Sequence, residues 1–427
     1  MLTFNNFCNS LLNSFSIRSS LSLFFFLLLA CSNSETETYE WTRFRGSDGQ
    51  GIDTKWSAPV KWESSDFRWE IELPGKGNAS PVVWGNTIYV TSADENNIGY
   101  VFAVDAGNGK IRWEQEFKLT ELLMHPDNNL AAATPAVDES QVYIIWYTKE
   151  KTELIALSHD GYMQWKTSFE GIETRHGGGS SLMLTDKNVV FTREQETGSS
   201  VKSSWIAVDK SSGNTAWELE RETVSANSFS TPVLVKNDSQ VAQLIFTSWA
   251  HGITGVDPET GAILWENPGL IPNRAISSPV YSDGKVIGCY KNGGAVLNVD
   301  LNTNKFADSA LYNLPRNLSP YVPTPIIVGE LLFLFIDNGT VACLHFSTGE
   351  LLWKERPAGA IYGSPVCVGE NIYCMIKDGK VIVIKADDTY QLMGINELGD
   401  GSYSTPVMCS SGIVFRTFSR LILLGNK

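Results

Sequence analysis

The sequence predicts an all-β chain folded as an eight-bladed β-propeller, and three observations predict it. A short phrase, Ser or Thr then Pro then an apolar pair, recurs along the chain. Its mean spacing is about 46 residues, within the span of propeller blades. Between the phrases lie short apolar runs punctuated by Gly-containing turns, with no helical period. A closing phrase ending in Trp recurs at the same period.

Each blade is justified in turn by its opening phrase. Ser80-Pro81, Thr134-Pro135, Thr231-Pro232, Ser278-Pro279, Thr324-Pro325, Ser364-Pro365 and Thr405-Pro406 open seven units, and Ser180-Ser181-Leu182 is the same phrase without its proline. A turn such as Gly85-Asn86 or Gly369-Glu370 then leads into a second strand, because both positions must tolerate positive φ. A third strand follows, as in Val101 to Asp105, and a Gly-terminated turn leads to a fourth ending in Trp. Four antiparallel strands per unit make a radial repeat.

The last units depart from the pattern. The fifth and seventh lack a terminal Trp, and the eighth stops after its third strand at Leu424. The segment Phe67 to Ile71 carries Trp69 and is the expected missing strand. Pairing it with the chain's end closes the ring and removes an open edge.

The unit Ala-x-Asp-x-x-x-Gly-x-x-x-Trp, as in Ala103 to Trp113 and Ala207 to Trp217, resembles the tryptophan-docking motif of pyrroloquinoline-quinone-type (PQQ-like) β-propellers. WD40 and kelch signatures do not recur. The resemblance implies that Trp69, Trp113, Trp165, Trp217, Trp265 and Trp353 are structural, each stapling its blade to a neighbour. Trp41-Thr-Arg-Phe-Arg45-Gly46, followed by Gly49 and Gly51, resembles the start of secreted or lipid-anchored members of that group. The general design is similar to the propeller lipoprotein of the outer-membrane barrel-assembly machinery, which implies partner binding through loops and edges of the ring.

The N-terminus reads as an address. Residues 21–30 are almost wholly apolar, too short to span a bilayer and suited to a signal peptide. They end Leu28-Leu29-Ala30-Cys31, which looks like a bacterial lipobox with Cys31 as the lipidated residue. Ordinary secretion is the alternative. The expected organisation is a signal peptide over 1–30, a lipidated Cys31 with a flexible acidic tether to residue 40, and one propeller domain over 41–427. The expected location is the bacterial cell envelope, lipid-anchored, with oligomeric state open.

A net charge of −14, with 43% apolar and 19% charged residues, suits a soluble fold and excludes bulk nucleic-acid binding, which needs a basic face. Cys289, Cys343, Cys367, Cys374 and Cys409 sit in apolar strand runs as small buried hydrophobes. The absence of a Cys-x-x-Cys pair argues against a zinc site.

Chemistry is expected where loops converge over the ring axis. The loops leading into the innermost strands hold Lys76 and Asn78, then His125, Asp127 and Asn128, then Arg175 and His176. Further round they hold Asn227, Arg274, Arg316, Tyr321, Tyr362 and Tyr403. Loops between second and third strands add Trp249, His251, Tyr290 and Arg416. A ring of cationic and aromatic groups over a funnel suits an anion or polar organic ligand. Gly177-Gly178-Gly179 reads as a turn, because no strand-to-helix context makes it a phosphate loop.

Two further readings stand beside partner binding. Resemblance to quinoprotein dehydrogenases implies PQQ with calcium and an oxidoreductase. The sequence shows neither an adjacent Cys pair nor a gathered Asp/Glu/Asn set, so no catalytic or metal residue is assigned. Trp249, Tyr321, Tyr362 and Tyr403 could instead stack on sugars or a polymer. The leading expectation is a non-catalytic binding or scaffold module for a cell-envelope protein or polar ligand.

Overall fold

Eight β-sheets stand around a common axis in the computed structural model, which describes residues 39–224, 226–237 and 239–425. The expected signal peptide and Cys31 lie outside the described residues. The tether was expected to run to residue 40, but Glu40 already belongs to a strand, Glu40–Trp41. Three short 3-10 helices are the only helices among the described residues.

The second blade shows the plan: Ala136–Val137, Gln141–Tyr147, Lys151–Ser158 and Met163–Glu170, each antiparallel to the last. Central strands lie between two neighbouring sheets, so both faces are buried and the sequence reads as a continuous apolar run. Thr87–Ala93 is buried at every position. Outermost strands have one face in water, and Ile111–Lys118 alternates accordingly. The ring closes as expected. Phe67–Glu72 pairs antiparallel with Arg420–Leu424 and becomes the outer strand of the eighth blade.

The recurring Trp motif has a physical reading at each position. Ala103, Ala156 and Ala207 are small because each lies directly opposite Trp113, Trp165 or Trp217 on the next strand. A bulge follows in each case and redirects the Trp. The Asp209 carboxylate accepts the N–H groups of Ser211 and Ser212 and ties the turn. Gly213 has φ +72°, and a methyl group there would lie 2.7 Å from the Trp165 ring of the preceding blade.

Five of the six Trp residues donate their indole N–H to a carbonyl of the next blade: Trp69 to Ala106, Trp113 to His159, Trp165 to Lys210, Trp217 to Pro258 and Trp353 to Asp387. Trp265 departs from the expected role. Its N–H donates within its own blade to Gln243 (2.7 Å) rather than to a carbonyl of the next, while its ring stacks on Phe306 of the fifth blade, whose hairpin has Asn304 at the position of Gly213. The fifth blade, lacking a Trp, uses Tyr312, whose ring covers Gly349 and whose hydroxyl donates to the Phe346 carbonyl (2.7 Å).

The Ser/Thr of the opening phrase forms an inner hoop. Ser80 N–H donates to Thr134 Oγ1, Thr134 N–H to Ser181 Oγ, and Ser181 N–H to Thr231 Oγ1. Thr231, Ser278, Thr324 and Ser364 continue the series, and Thr405 N–H returns to Ser80 Oγ. All eight bonds measure 2.9–3.1 Å and run in one rotational sense.

The N-terminal segment fills the axis beside this hoop. Glu40–Trp41 pairs with Val83 and Trp84, at the end of the first blade's innermost strand remote from Ser80. Thr42 accepts from Val137 N–H in the second blade, and Gln50 donates to the Tyr281 carbonyl in the fifth. Ile52–Asp53 then runs parallel to Val366–Val368 in the seventh. One short loop thereby touches blades on opposite sides of the ring.

Candidate functional site

The loops leading into the innermost strands meet over the hydroxyl hoop and enclose a cavity of about 560 Å³. Its lower wall is the hoop itself, joined by Phe44 from the axial loop. Of the sequence-derived candidates, Asn78, His125, His176, Trp249, Arg274 and Tyr321 line it, as do Asp127, Asn128, Tyr362 and Tyr403.

Four candidates lie elsewhere. Lys76 is exposed and its backbone bridges to Ala93. Arg175 points outward, with Nε 2.9 Å from Glu196 Oε2. His251 is buried in a seam, where its Nε2 accepts Glu222 N–H at 3.0 Å and its Nδ1 lies 3.5 Å from Glu266. Arg316 starts the exposed 3-10 turn Arg316–Leu318. Position in a converging loop sets where a backbone goes, and a local carboxylate or turn sets where the side chain points. Tyr290 and Arg416 also lie off the cavity lining.

The long connection over 119–133 crosses the mouth and is fastened by Asp127. Its carboxylate accepts Tyr403 Oη (2.7 Å), Lys377 Nζ (2.9 Å) and Tyr362 Oη (3.4 Å). The hydrogen bonds from Tyr403 and then Lys377 hold the Asp127 carboxyl below its usual range, and the Asp127 bond holds Lys377 above its own. Lys377 also sits 4.8 Å and 5.2 Å from the ring centres of Tyr362 and Tyr403. The loop foot is pinned too: Asn128 donates to the carbonyls of His176 and Gly178. The glycine run is close-packed, because a methyl on Gly178 would lie 2.5 Å from Tyr147.

Across the cavity, Arg274 is held rigidly. Its Nε donates to the Asn227 carbonyl (2.6 Å), one Nη lies 3.4 Å from Tyr321 Oη, and the guanidinium lies 4.8 Å from the Phe229 ring centre. His176 stacks parallel to His125 at 6.3 Å, and its Nδ1 is 2.6 Å from Glu196. Burial, reinforced by the charges of Arg274 and Arg175, pushes His176 below its ordinary value against the pull of Glu196. Burial pushes the Asp337 carboxyl up, against the pull of the Tyr321 and Val322 N–H groups that it accepts (2.7 and 3.1 Å).

Sequence reasoning passed over Lys291, Asp337 and Lys377. Each lies one or two residues beyond the second strand of its blade, the position of Trp249 in the fourth. Carrying the repeat register through every blade would have found them. Phe44 and Phe229 gave no such signal.

The PQQ-and-calcium reading can be tested on the donor set. Calcium takes six to eight oxygen ligands, several from carboxylates. The cavity's two carboxylates serve different ends: Asp127 is committed to Lys377 and two tyrosines, while Asp337 accepts backbone N–H groups. Arg274 and Lys291 also line the space. Among the described residues no group of three or more His, Cys, Asp or Glu is gathered to hold a metal. This donor set does not fit a calcium–quinone site. It suits an elongated polar or anionic group that can meet Arg274 and Lys291 while resting on Trp249, Tyr321 and Phe229.

Comparison with known proteins places these features in context. The family profile described as outer membrane protein assembly factor BamB matches residues 97–334 and 313–392. Outer membrane protein assembly factor BamB of Yersinia pestis is 23% identical over 393 residues, covering 91% of this chain and 82% of that protein. Polyvinylalcohol dehydrogenase of a Pseudomonas species is 22% identical over 349 residues, covering 73% of this chain and half (50%) of that protein's length. The crystal structure of BamB from Moraxella catarrhalis superposes with a TM-score of 0.63 at 15% identity, over 84% of this chain and 97% of that one.

Proposed function

Because the chain belongs to the family described as outer membrane protein assembly factor BamB, we propose that it is a non-catalytic propeller of the cell envelope that binds a partner through its cavity face. The observation that carries this reading is the cavity's composition. Arg274, Lys291, Trp249 and Tyr321 converge on one space whose carboxylates are otherwise engaged. Such a surface suits an extended protein segment or another polar ligand with acidic and aromatic groups.

Cys31 is the proposed lipid site, and acylation there would tether the ring to a membrane. The chain joins the ring beside Trp84, at the innermost-strand end remote from Ser80 and the cavity. No helix among the described residues is long and apolar enough to cross a membrane.

The similarity to polyvinylalcohol dehydrogenase motivates the second reading, an oxidoreductase using PQQ. One experiment separates the two. PQQ with calcium is titrated into the purified protein while dye reduction is followed, and envelope extracts are probed by photo-crosslinking from position Tyr321. The binding reading expects no dye reduction and a specific crosslinked partner, lost in Arg274→Ala with Trp249→Ala. Stoichiometric PQQ binding with dye reduction, or a crosslink indifferent to both substitutions, overturns it.

A further inference from the structure

We propose that the axial loop over 41–51 encloses a site for a small monovalent anion of chloride size, held between the guanidinium groups of Arg43 and Arg45. Both arginines and Trp41 are 3% exposed or less. Four of their nitrogens meet no acceptor: Trp41 Nε1, Arg43 Nη2, and Arg45 Nε and Nη1. The other donors are spent on the loop's own carbonyls. Arg43 reaches those of Ser47 (3.3 Å) and Phe44 (3.4 Å), and Arg45 that of Gln50 (2.8 Å).

All four orphaned atoms are donors, so the missing partner is an acceptor. Buried polar groups without partners are rare, and unpaired buried charges are costlier still. Among the described residues no carboxylate forms an ion pair with either guanidinium. The nearest acid, Asp48, is exposed and accepts the Gln50 N–H (2.9 Å). A water molecule would supply an acceptor but would also turn its own hydrogens toward two cations. An anion satisfies the donors and relieves the repulsion between the guanidiniums. Against the pull of Asp48, burial brings Arg43 down to about 10, and burial with the charge of Arg43 brings Arg45 down to about 9.

The loop's glycines set the size of the site. Gly49 and Gly51 have φ +75° and +74°, and methyl groups there would lie 2.6 Å from Arg43 Nη1 and 2.9 Å from Arg45 Nε. The backbone therefore wraps both guanidiniums closely, and a small ion is the acceptor proposed for so tight a loop. Phe44, between the two arginines in sequence, lines the cavity above.

The test uses the full chain and two halides. Thermal melting is compared in gluconate, chloride and bromide at constant ionic strength. A saturable rise on the order of 2 °C in either halide is expected, and it should vanish in Arg45→Leu. If that variant fails to fold, wild-type crystals soaked in bromide decide the matter. An anomalous peak within hydrogen-bonding reach of Arg43 Nη2 and Arg45 Nη1 supports the site. Equal melting in gluconate and halide, with no bromide peak, means that water fills the space and overturns the proposal.

Discussion

Replacing Trp217 by Ala tests how the blades are joined. The Trp217 side chain is 7% exposed, its indole N–H donates to the Pro258 carbonyl at 3.1 Å, and its ring lies on Gly261 of the next blade. Truncating a buried aromatic costs about 3–5 kcal/mol. About 1 kcal/mol of that belongs to the hydrogen bond, so Trp217→Phe, which keeps most of the ring, should lose about 1 kcal/mol. Gly261→Ala attacks the same joint from the other side. It forces a side chain into φ +72° and places a methyl 2.7 Å from the indole. Combined with Trp217→Ala the clash disappears and only the backbone strain, about 1–2 kcal/mol, remains. The double variant should therefore be more stable than the sum of the single effects implies. Urea unfolding followed by far-ultraviolet circular dichroism reads all four variants against the wild type. A Trp217→Ala loss below about 1 kcal/mol, or strict additivity in the double variant, would refute the docking argument.

Two more outcomes can be checked the same way. Thr231→Val keeps the shape of a hoop residue but removes the oxygen that accepts Ser181 N–H. An orphaned buried N–H costs about 1–3 kcal/mol, so an unchanged melting temperature would show that the hoop bonds are dispensable. Asp127→Asn releases the strap across the cavity mouth. The folded-state value of Asp127 lies below the ordinary carboxylate one, so its contribution is full above about pH 4 and fades as the pH falls through the depressed value. The melting gap between wild type and Asp127→Asn should hold from about pH 7 to pH 5 and shrink below about pH 4; a gap that widens in acid contradicts the assignment.

The ring was legible in the sequence because its physics repeats. The Gly-to-Trp spacing, the proline phrase and the orphan strand around Trp69 each have a local cause that recurs in most blades, and the pairing of Phe67–Glu72 with Arg420–Leu424 followed from the blade count. Two parts of the fold were hidden for different reasons. The hoop of hydroxyls uses residues that the repeat displays openly, but their oxygens are bonded by the neighbouring blade, a relation no single unit encodes. The role of Tyr312 escaped because it comes after a broken hairpin, outside the motif's spacing. In the site, loop position identified the cavity wall on the His125, His176 and Arg274 sides, while it misplaced His251 and Arg175, whose partners Glu222, Glu266 and Glu196 come from other segments of the chain.

The route of the first strands bears on how the molecule is made. Ile52–Asp53 and Phe67–Glu72 find their partners in the seventh and eighth blades, which a ribosome or secretion channel delivers long after them. Until Leu424 emerges, Phe67–Glu72 has no sheet to join and the final blade has no outer rim. Ring closure thereby waits on a contact between segments separated by 350 residues, the kind of topology that slows assembly and leaves bare edges waiting. A truncation that spares the cavity loops but removes the last few residues should trap the protein in that unfinished, sticky condition.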